Sequence, residues 1–187
     1  MCIRDRARWV DEQADLGVAF DGDGDRVAFT DEKGQIIPGD FVTALIAREM
    51  LKKRPGAEIL YDLRSSWVVP EEIKKAGGKA IECRVGHVLI KKQMREEVGY
   101  FAGELSSHYY VSDFYTTDNG DLAMLNIIML LLAEGKKMSG STPNCGMTAS
   151  GPAYPLRRHT SAAVALPAMA YSMWRRLYCS IQLKGGG

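Results

Sequence analysis

The chain has 187 residues, 46% of them apolar, enough for one full domain with a sizeable core and part of another. A net charge of +1 argues against wholesale nucleic-acid binding, so no nucleic-acid partner is expected. The four cysteines, Cys2, Cys83, Cys145 and Cys179, are too scattered for a Cys-x-x-Cys zinc site or a disulfide framework and suit a reducing cytoplasm, while the longest apolar run, Leu122 to Ala133, is too short to span a bilayer.

Taken in chain order, Met1 to Arg6 carries no pattern and no secretory leader is recognisable; residues 1–13 are set aside as a leader outside the fold. Leu16 to Asp21 and Val27 to Thr30 read as strands. Between them lies Asp21-Gly22-Asp23-Gly24-Asp25-Arg26. Two strands would hold this loop from both sides, the glycines let it turn tightly, and Asp21, Asp23 and Asp25 could converge as oxygen ligands on one hard divalent ion. Three carboxylates so close repel one another without a counter-charge, which makes Mg2+ the first choice. Arg26 would oppose a bare cation, so a ligand that brings its own negative charge, a phosphate, fits both partners. A solvated Asp-Gly hairpin is the bland alternative. A calcium-binding EF-hand loop is a closer one, with Glu32 at its twelfth position. That pattern breaks at its sixth position, where Arg26 replaces the required glycine, and strands flank the loop where helices are needed.

Beyond the loop, Asp31-Glu32-Lys33-Gly34 makes a turn into Gln35-Ile36-Ile37. Pro38-Gly39-Asp40 then caps a helix with Val42, Leu45, Ile46 and Leu51 at helical spacing, ended by Pro55-Gly56. Two further cycles follow: strand Ala57 to Leu63 with helix Pro70 to Ala76, and strand Lys79 to Val85 with helix Val88 to Glu97. Such alternation implies an α/β domain with strands covered by helices. In Tyr100 to Tyr115 aromatic residues surround a polar core, Gly103-Glu104-Leu105-Ser106-Ser107-His108, which is expected on a loop between strands. The last regular element is a helix capped by Asp118-Asn119-Gly120-Asp121. Its run Leu122 to Ala133 is apolar on nearly every face, so the helix is expected to be buried.

After Glu134 no acidic residue occurs, whereas Lys136, Lys137, Arg157, Arg158, Arg175, Arg176 and Lys184 do. Hydrophobic periodicity also dissolves there into Gly, Pro, Ser and Thr, so residues 139–187 are expected to be a basic, poorly structured or non-native tail.

The metal loop Asp21 to Arg26, followed about eighty residues later by Gly103-Glu104-Leu105-Ser106-Ser107-His108-Tyr109-Tyr110 and Asp118-Asn119-Gly120, resembles the α-D-phosphohexomutases of the phosphomannomutase/phosphoglucomutase type. The resemblance covers about Ala14 to Met138. It implies that residues 14–37 are the terminal strands of the family's second α/β domain and residues 38–138 its third domain, a mixed sheet with helices on its faces, with the phosphoserine and phosphate-binding domains lying outside this chain. By the same resemblance Asp21, Asp23 and Asp25 would ligate Mg2+ together with a phosphoserine oxygen, and Arg26 would lie near that phosphate as a catalytic cation. Glu104 and Ser106 would bind sugar hydroxyls, and His108 would meet the reacting end of the sugar as proton donor or acceptor. Arg64 and His87 match cleft positions of the family that meet substrate. The implied activity is interconversion of hexose 1-phosphate and hexose 6-phosphate through a phosphoserine and a hexose 1,6-bisphosphate. Glu-Leu-Ser in the sugar loop, where glucosamine mutases usually carry Glu-Gln-Ser, inclines the reading to mannose or glucose phosphates. Ser107 departs from the family, which more often has glycine there.

Simpler roles stand beside these. Arg64 also reads as a surface charge, His87 as a helix-start residue packed on the core and His108 as a hydrogen-bonded structural histidine, whereas Glu104 amid small and aromatic residues calls for a polar ligand. Thr148-Ala149-Ser150 lacks the His-Asn-Pro of the phosphoserine loop and Ser141-Thr142-Pro143 lacks an arginine, so both are taken as accidental. The rival class is a non-catalytic divalent-cation-binding module with a basic interaction tail.

Overall fold

The structure is a computed structural model and describes residues 13–143. The tail beyond Pro143 and the Thr148-Ala149-Ser150 motif lie outside the described residues. Strands β1 (Gly17–Phe20), β2 (Val27–Thr30) and β3 (Ile36–Ile37) form an antiparallel meander in which Phe20 pairs with Val27 and Phe29 with Ile37. The Asp-Gly loop is the hairpin between β1 and β2. Helix α1 (Gly39–Lys53) follows, then β4 (Glu58–Asp62), α2 (Val68–Lys75), β5 (Lys79–Cys83) and α3 (His87–Glu96). After these come β6 (Phe101–Gly103), β7 (Tyr109–Val111), a 3-10 turn at Ser112–Phe114, β8 (Thr117–Asp118), α4 (Gly120–Glu134) and the short α5 (Met138–Ser141).

The second sheet has the order β5-β4-β6-β7-β8. Strand β4 runs parallel to both β5 and β6, and β7 runs antiparallel to both β6 and β8, which gives the mixed sheet that the family resemblance implies. Side chains alternate along its strands and so divide between two cores. Ile59, Tyr61, Phe101, Tyr109 and Val111 face the larger one with α1, α2 and α4, while Leu60, Ala102 and Tyr110 face α3 through Ile90 and Met94. Helices therefore cover both faces, an α/β/α arrangement. Val27 and Phe29 of β2 and Ile37 of β3 are buried in that same larger core, so the meander packs onto the helical layer and does not stand apart from it.

Three local expectations need correction. Helix α4 is not buried on every side: Ala123, Ile127 and Leu130 face the core, but Leu125, Met129 and Leu132 are 51%, 61% and 74% exposed. A helix lying on one face of a layer buries only the stripe that meets it. Helix α2 begins at Val68, two residues before Pro70, because proline is accepted within a first turn, where its missing N–H has no partner to lose. Asp40 does not cap α1. The cap position is Pro38, and the buried Asp40 carboxylate accepts from Ser66 N–H at 3.0 Å, near the start of α2, and from Phe41 N–H. Burial raises the Asp40 carboxyl above its usual range despite these bonds.

No helix among the described residues is long and apolar enough to cross a membrane.

Candidate active site

The Asp-Gly hairpin is folded around Asp21. Its Oδ1 accepts from the backbone N–H of Gly24 (3.1 Å) and Arg26 (3.2 Å), and its Oδ2 takes the Arg26 Nε–H at 2.6 Å. Oxygens of Asp21, Asp23 and Asp25 all lie within 4.8 Å of one another. Burial raises both inner carboxyls, but bonds from the Arg26 backbone and side chain hold Asp21 below its usual range. Asp25 stays above it, pushed up first by burial and then by its Asp21 neighbour. Asp25 Oδ1 is buried without a hydrogen-bond partner among the described residues. A hard cation fits this donor set, since it would pair with carboxylates that now depend on one guanidinium. Glu32 takes no part in the cluster, because its carboxylate accepts from the N–H and hydroxyl of Ser139; that removes the twelfth-position ligand of the EF-hand alternative.

The second loop, Glu104 to His108, joins β6 to β7 and closes on itself through Glu104 N–H to His108 O and Ser107 N–H to Glu104 O. Glu104 is 3% exposed, yet each oxygen of its carboxylate has a partner. Oε1 accepts from the Tyr110 hydroxyl at 2.5 Å, Oε2 accepts from Ser106 Oγ at 3.2 Å, and Arg64 Nη2 stands 3.7 Å from Oε2. Ser106 Oγ also meets His108 Nδ1 at 3.1 Å. Burial and then the Glu104 carboxylate push the Tyr110 hydroxyl far up, so it remains a donor to that carboxylate.

Helix starts hold both loops in place. A Cβ at Gly39, first in α1, would come within 2.7 Å of Leu105 O, and one at Gly120, first in α4, within 2.8 Å of Gly24 O. Only glycine allows these approaches. Asn119 caps α4 by accepting from Leu122 N–H at 2.9 Å.

The two loops meet. Val27 N–H donates to Ser107 O at 3.4 Å, Arg26 and His108 form an antiparallel bridge, and His108 Nε2 lies 3.4 Å from Asp25 Oδ2. Asp21, Asp23, Asp25 and Arg26 are thereby brought together with Glu104, Ser106, His108 and Arg64, with His108 as the link. His87 stands apart: it is exposed at the start of α3, one turn before Lys91. Sequence reasoning missed four neighbours. Lys91 Nζ bonds Asp118 Oδ1 at 2.8 Å and lies 5.6 Å from the Tyr110 ring centre; burial raises the Asp118 carboxyl, but this bond holds it below the usual range. Tyr110 orients Glu104, and the fully buried Asp62 accepts from Leu105 N–H at 2.9 Å. A carboxylate closing the otherwise apolar strand Ile59-Leu60-Tyr61 was the available signal for Asp62, since ligands gather at the carboxyl ends of parallel strands.

Comparison with known proteins adds to this geometry. Residues 38–143 match the family described as phosphoglucomutase/phosphomannomutase, alpha/beta/alpha domain III. The chain is 46% identical over 139 residues to a phosphomannomutase of Methanocaldococcus jannaschii, covering 74% of this chain and 31% of that protein. Among solved structures it resembles a phosphoglucomutase/phosphomannomutase family protein from Burkholderia thailandensis, with TM-score 0.68 and 25% identity over 97% of this chain and 50% of that one. Its fold is also similar to Aspergillus fumigatus N-acetylphosphoglucosamine mutase, solved with GlcNAc-6P and magnesium, with TM-score 0.53 and 13% identity over 85% of this chain and 40% of that one. The chain thus spans only part of the length of the relatives it matches.

Proposed function

The chain belongs to the phosphoglucomutase/phosphomannomutase family, and from that premise we propose that it carries the metal loop and the sugar loop of a phosphohexomutase acting on mannose or glucose phosphates. In this reading residues 14–37 end the enzyme's second domain, residues 38–138 form its third, and the phosphoserine and phosphate-binding domains belong to the rest of a longer cytoplasmic protein. The observation that carries the proposal is the contact between loops far apart in the chain, with His108 3.4 Å from Asp25 on one side and 3.1 Å from Ser106 on the other. A carboxylate cluster beside a hydroxyl-binding loop suits a phosphorylated sugar, which brings anion and hydroxyls together.

Asp21, Asp23 and Asp25 would hold Mg2+, which when bound supplies positive charge for the transferring phosphoryl group. Arg26 adds a second cation at the same place. Glu104 and Ser106 bind two vicinal hydroxyls lying between the exchanging ends, so the sugar is held in either orientation. His108 takes the proton from the hydroxyl that attacks the phosphoserine phosphorus, as the bond from phosphorus to the serine oxygen breaks, and returns a proton in the reverse half. Arg64 faces the sugar loop from the end of β4, and His87, exposed at the start of α3 and apart from these groups, would meet the bound substrate itself rather than either loop.

A chimaera tests the reading. Residues 14–143, placed in the corresponding segment of the Methanocaldococcus jannaschii phosphomannomutase, should convert hexose 1-phosphate to hexose 6-phosphate. Glu104→Gln in that chimaera should lower turnover by roughly a hundredfold with its melting temperature nearly unchanged. Unchanged kinetics would remove the sugar-binding role.

A further inference from the structure

Asp62 has no part in the chemistry above, yet it is a fully buried carboxylate at the carboxyl end of β4, the strand flanked by two parallel neighbours. It accepts three hydrogen bonds from two separate pieces of chain: Arg64 N–H at 2.8 Å, Arg64 Nη2 at 2.6 Å and Leu105 N–H at 2.9 Å. Leu105 lies between Glu104 and Ser106. The guanidinium that Asp62 holds is the one standing 3.7 Å from Glu104 Oε2, and its Nε is buried without a hydrogen-bond partner among the described residues.

A buried charge is costly, and three donors converging on it are more than an amide oxygen could satisfy. With an amide in its place one of the two oxygens becomes a donor, so either the Arg64 guanidinium and the Leu105 amide, which share Oδ2, or the Arg64 backbone N–H lose their acceptor. Either consequence falls on Arg64 or the sugar loop and neither falls on the hydrophobic core.

We propose that Asp62 is a positioning residue of this site: one buried carboxylate sets Arg64 and the Glu104–Ser106 loop at a fixed spacing, so that the phosphate and the hydroxyls of a sugar phosphate are read together. The inference rests on the sugar-binding reading above. Because Asp62 acts on Arg64 as well as on the loop, the losses from removing either should overlap, and removing both should cost less than their sum.

The test is nuclear magnetic resonance on the 187-residue chain with α-D-glucose 1-phosphate as probe. In the wild type, a clamped guanidinium should give distinct Nη signals for Arg64, and the probe should shift the amides of Glu104 to Ser106. Asp62→Asn should merge the Nη signals and weaken probe binding by about tenfold to a hundredfold, the worth of a hydrogen-bonded charge. Arg64→Ala should also weaken binding, and the double variant should lose less than the two single losses together. Additive losses, or weakening by Arg64→Ala without weakening by Asp62→Asn, would overturn the role of Asp62 and leave the sugar site standing. A wild-type chain whose loop amides ignore the probe would sink the sugar-binding reading and this inference with it. Should Asp62→Asn not fold, the wild type and Arg64→Lys decide: distinct Nη signals with weakened binding in Arg64→Lys support the clamp, and a freely rotating wild-type guanidinium refutes it.

Discussion

Asp25 is the residue at which two networks join, one through Asp21 and Arg26 and the other through His108, Ser106 and Glu104. Burial and the adjacent carboxylates raise its carboxyl, which is the electrostatic signature of acids that share too little counter-charge. Magnesium binding by the isolated chain should therefore fall about tenfold or more in Asp23→Asn or Asp25→Asn, because affinity follows the number of charged ligands. Asp31→Asn is the control. Asp31 is buried beyond the loop and its Oδ1 accepts from the N–H groups of Lys33 and Gln35, so its loss should loosen that turn and leave the titration curve unchanged. Similar losses from Asp31→Asn and Asp23→Asn in calorimetric titrations would refute the metal assignment. Ser107 carries a different cost. Its φ of +68° is left-handed, a conformation that glycine adopts freely, which gives a backbone reason why the resembling family favours glycine there. Ser107→Gly should raise unfolding free energy by roughly 0.5–1 kcal/mol in urea melts, and a decrease would mean that the Ser107 hydroxyl contributes more than the backbone strain removes.

Among the elements, α4 shows how one helix can be apolar all round and still have an inside and an outside. Ile127 is fully buried beneath it, and Leu132, little more than a turn further on, is 74% exposed. Ile127→Ala should cost about 2–4 kcal/mol, as buried large-to-small changes do. Leu132→Glu should stay within about 0.5 kcal/mol, as exposed substitutions do. Equal losses in chemical denaturation would mean that the outer stripe is covered in solution. The helix starts matter for a second reason: α1 and α4 each place a glycine against a loop backbone, so the spacing of the two loops is set by helix packing rather than by the loops themselves. Gly120→Ala has to displace Gly24 O, which sits only 2.8 Å from the new Cβ, and with it the Asp21–Arg26 hairpin.

For the whole molecule, one core joins the meander to the helical layer, so the described part should unfold in a single transition reported alike by Tyr fluorescence and by circular dichroism. Phosphoryl transfer demands the donor serine, the metal and a phosphate anchor within contact distance, and a misplacement of about an ångström can cost on the order of a hundredfold. The chain by itself should therefore stay at background in a coupled assay for glucose 6-phosphate formation from glucose 1-phosphate with bisphosphate and magnesium; turnover from a preparation free of host mutase would show that Ser150 or another residue serves as carrier. Local structure was legible in the sequence. Alternating Asp and Gly between apolar runs, the strand-helix cycles and the polar insert in Tyr100 to Tyr115 are short-range patterns, set by turn sterics and by the periods of strand and helix. Contacts between distant segments were not. The approach of His108 to Asp25, the grip of Asp62 on Arg64 and Leu105 and the exposed side of α4 depend on which faces are brought together, and a run of residues encodes its own periodicity but not the surface that packs against it.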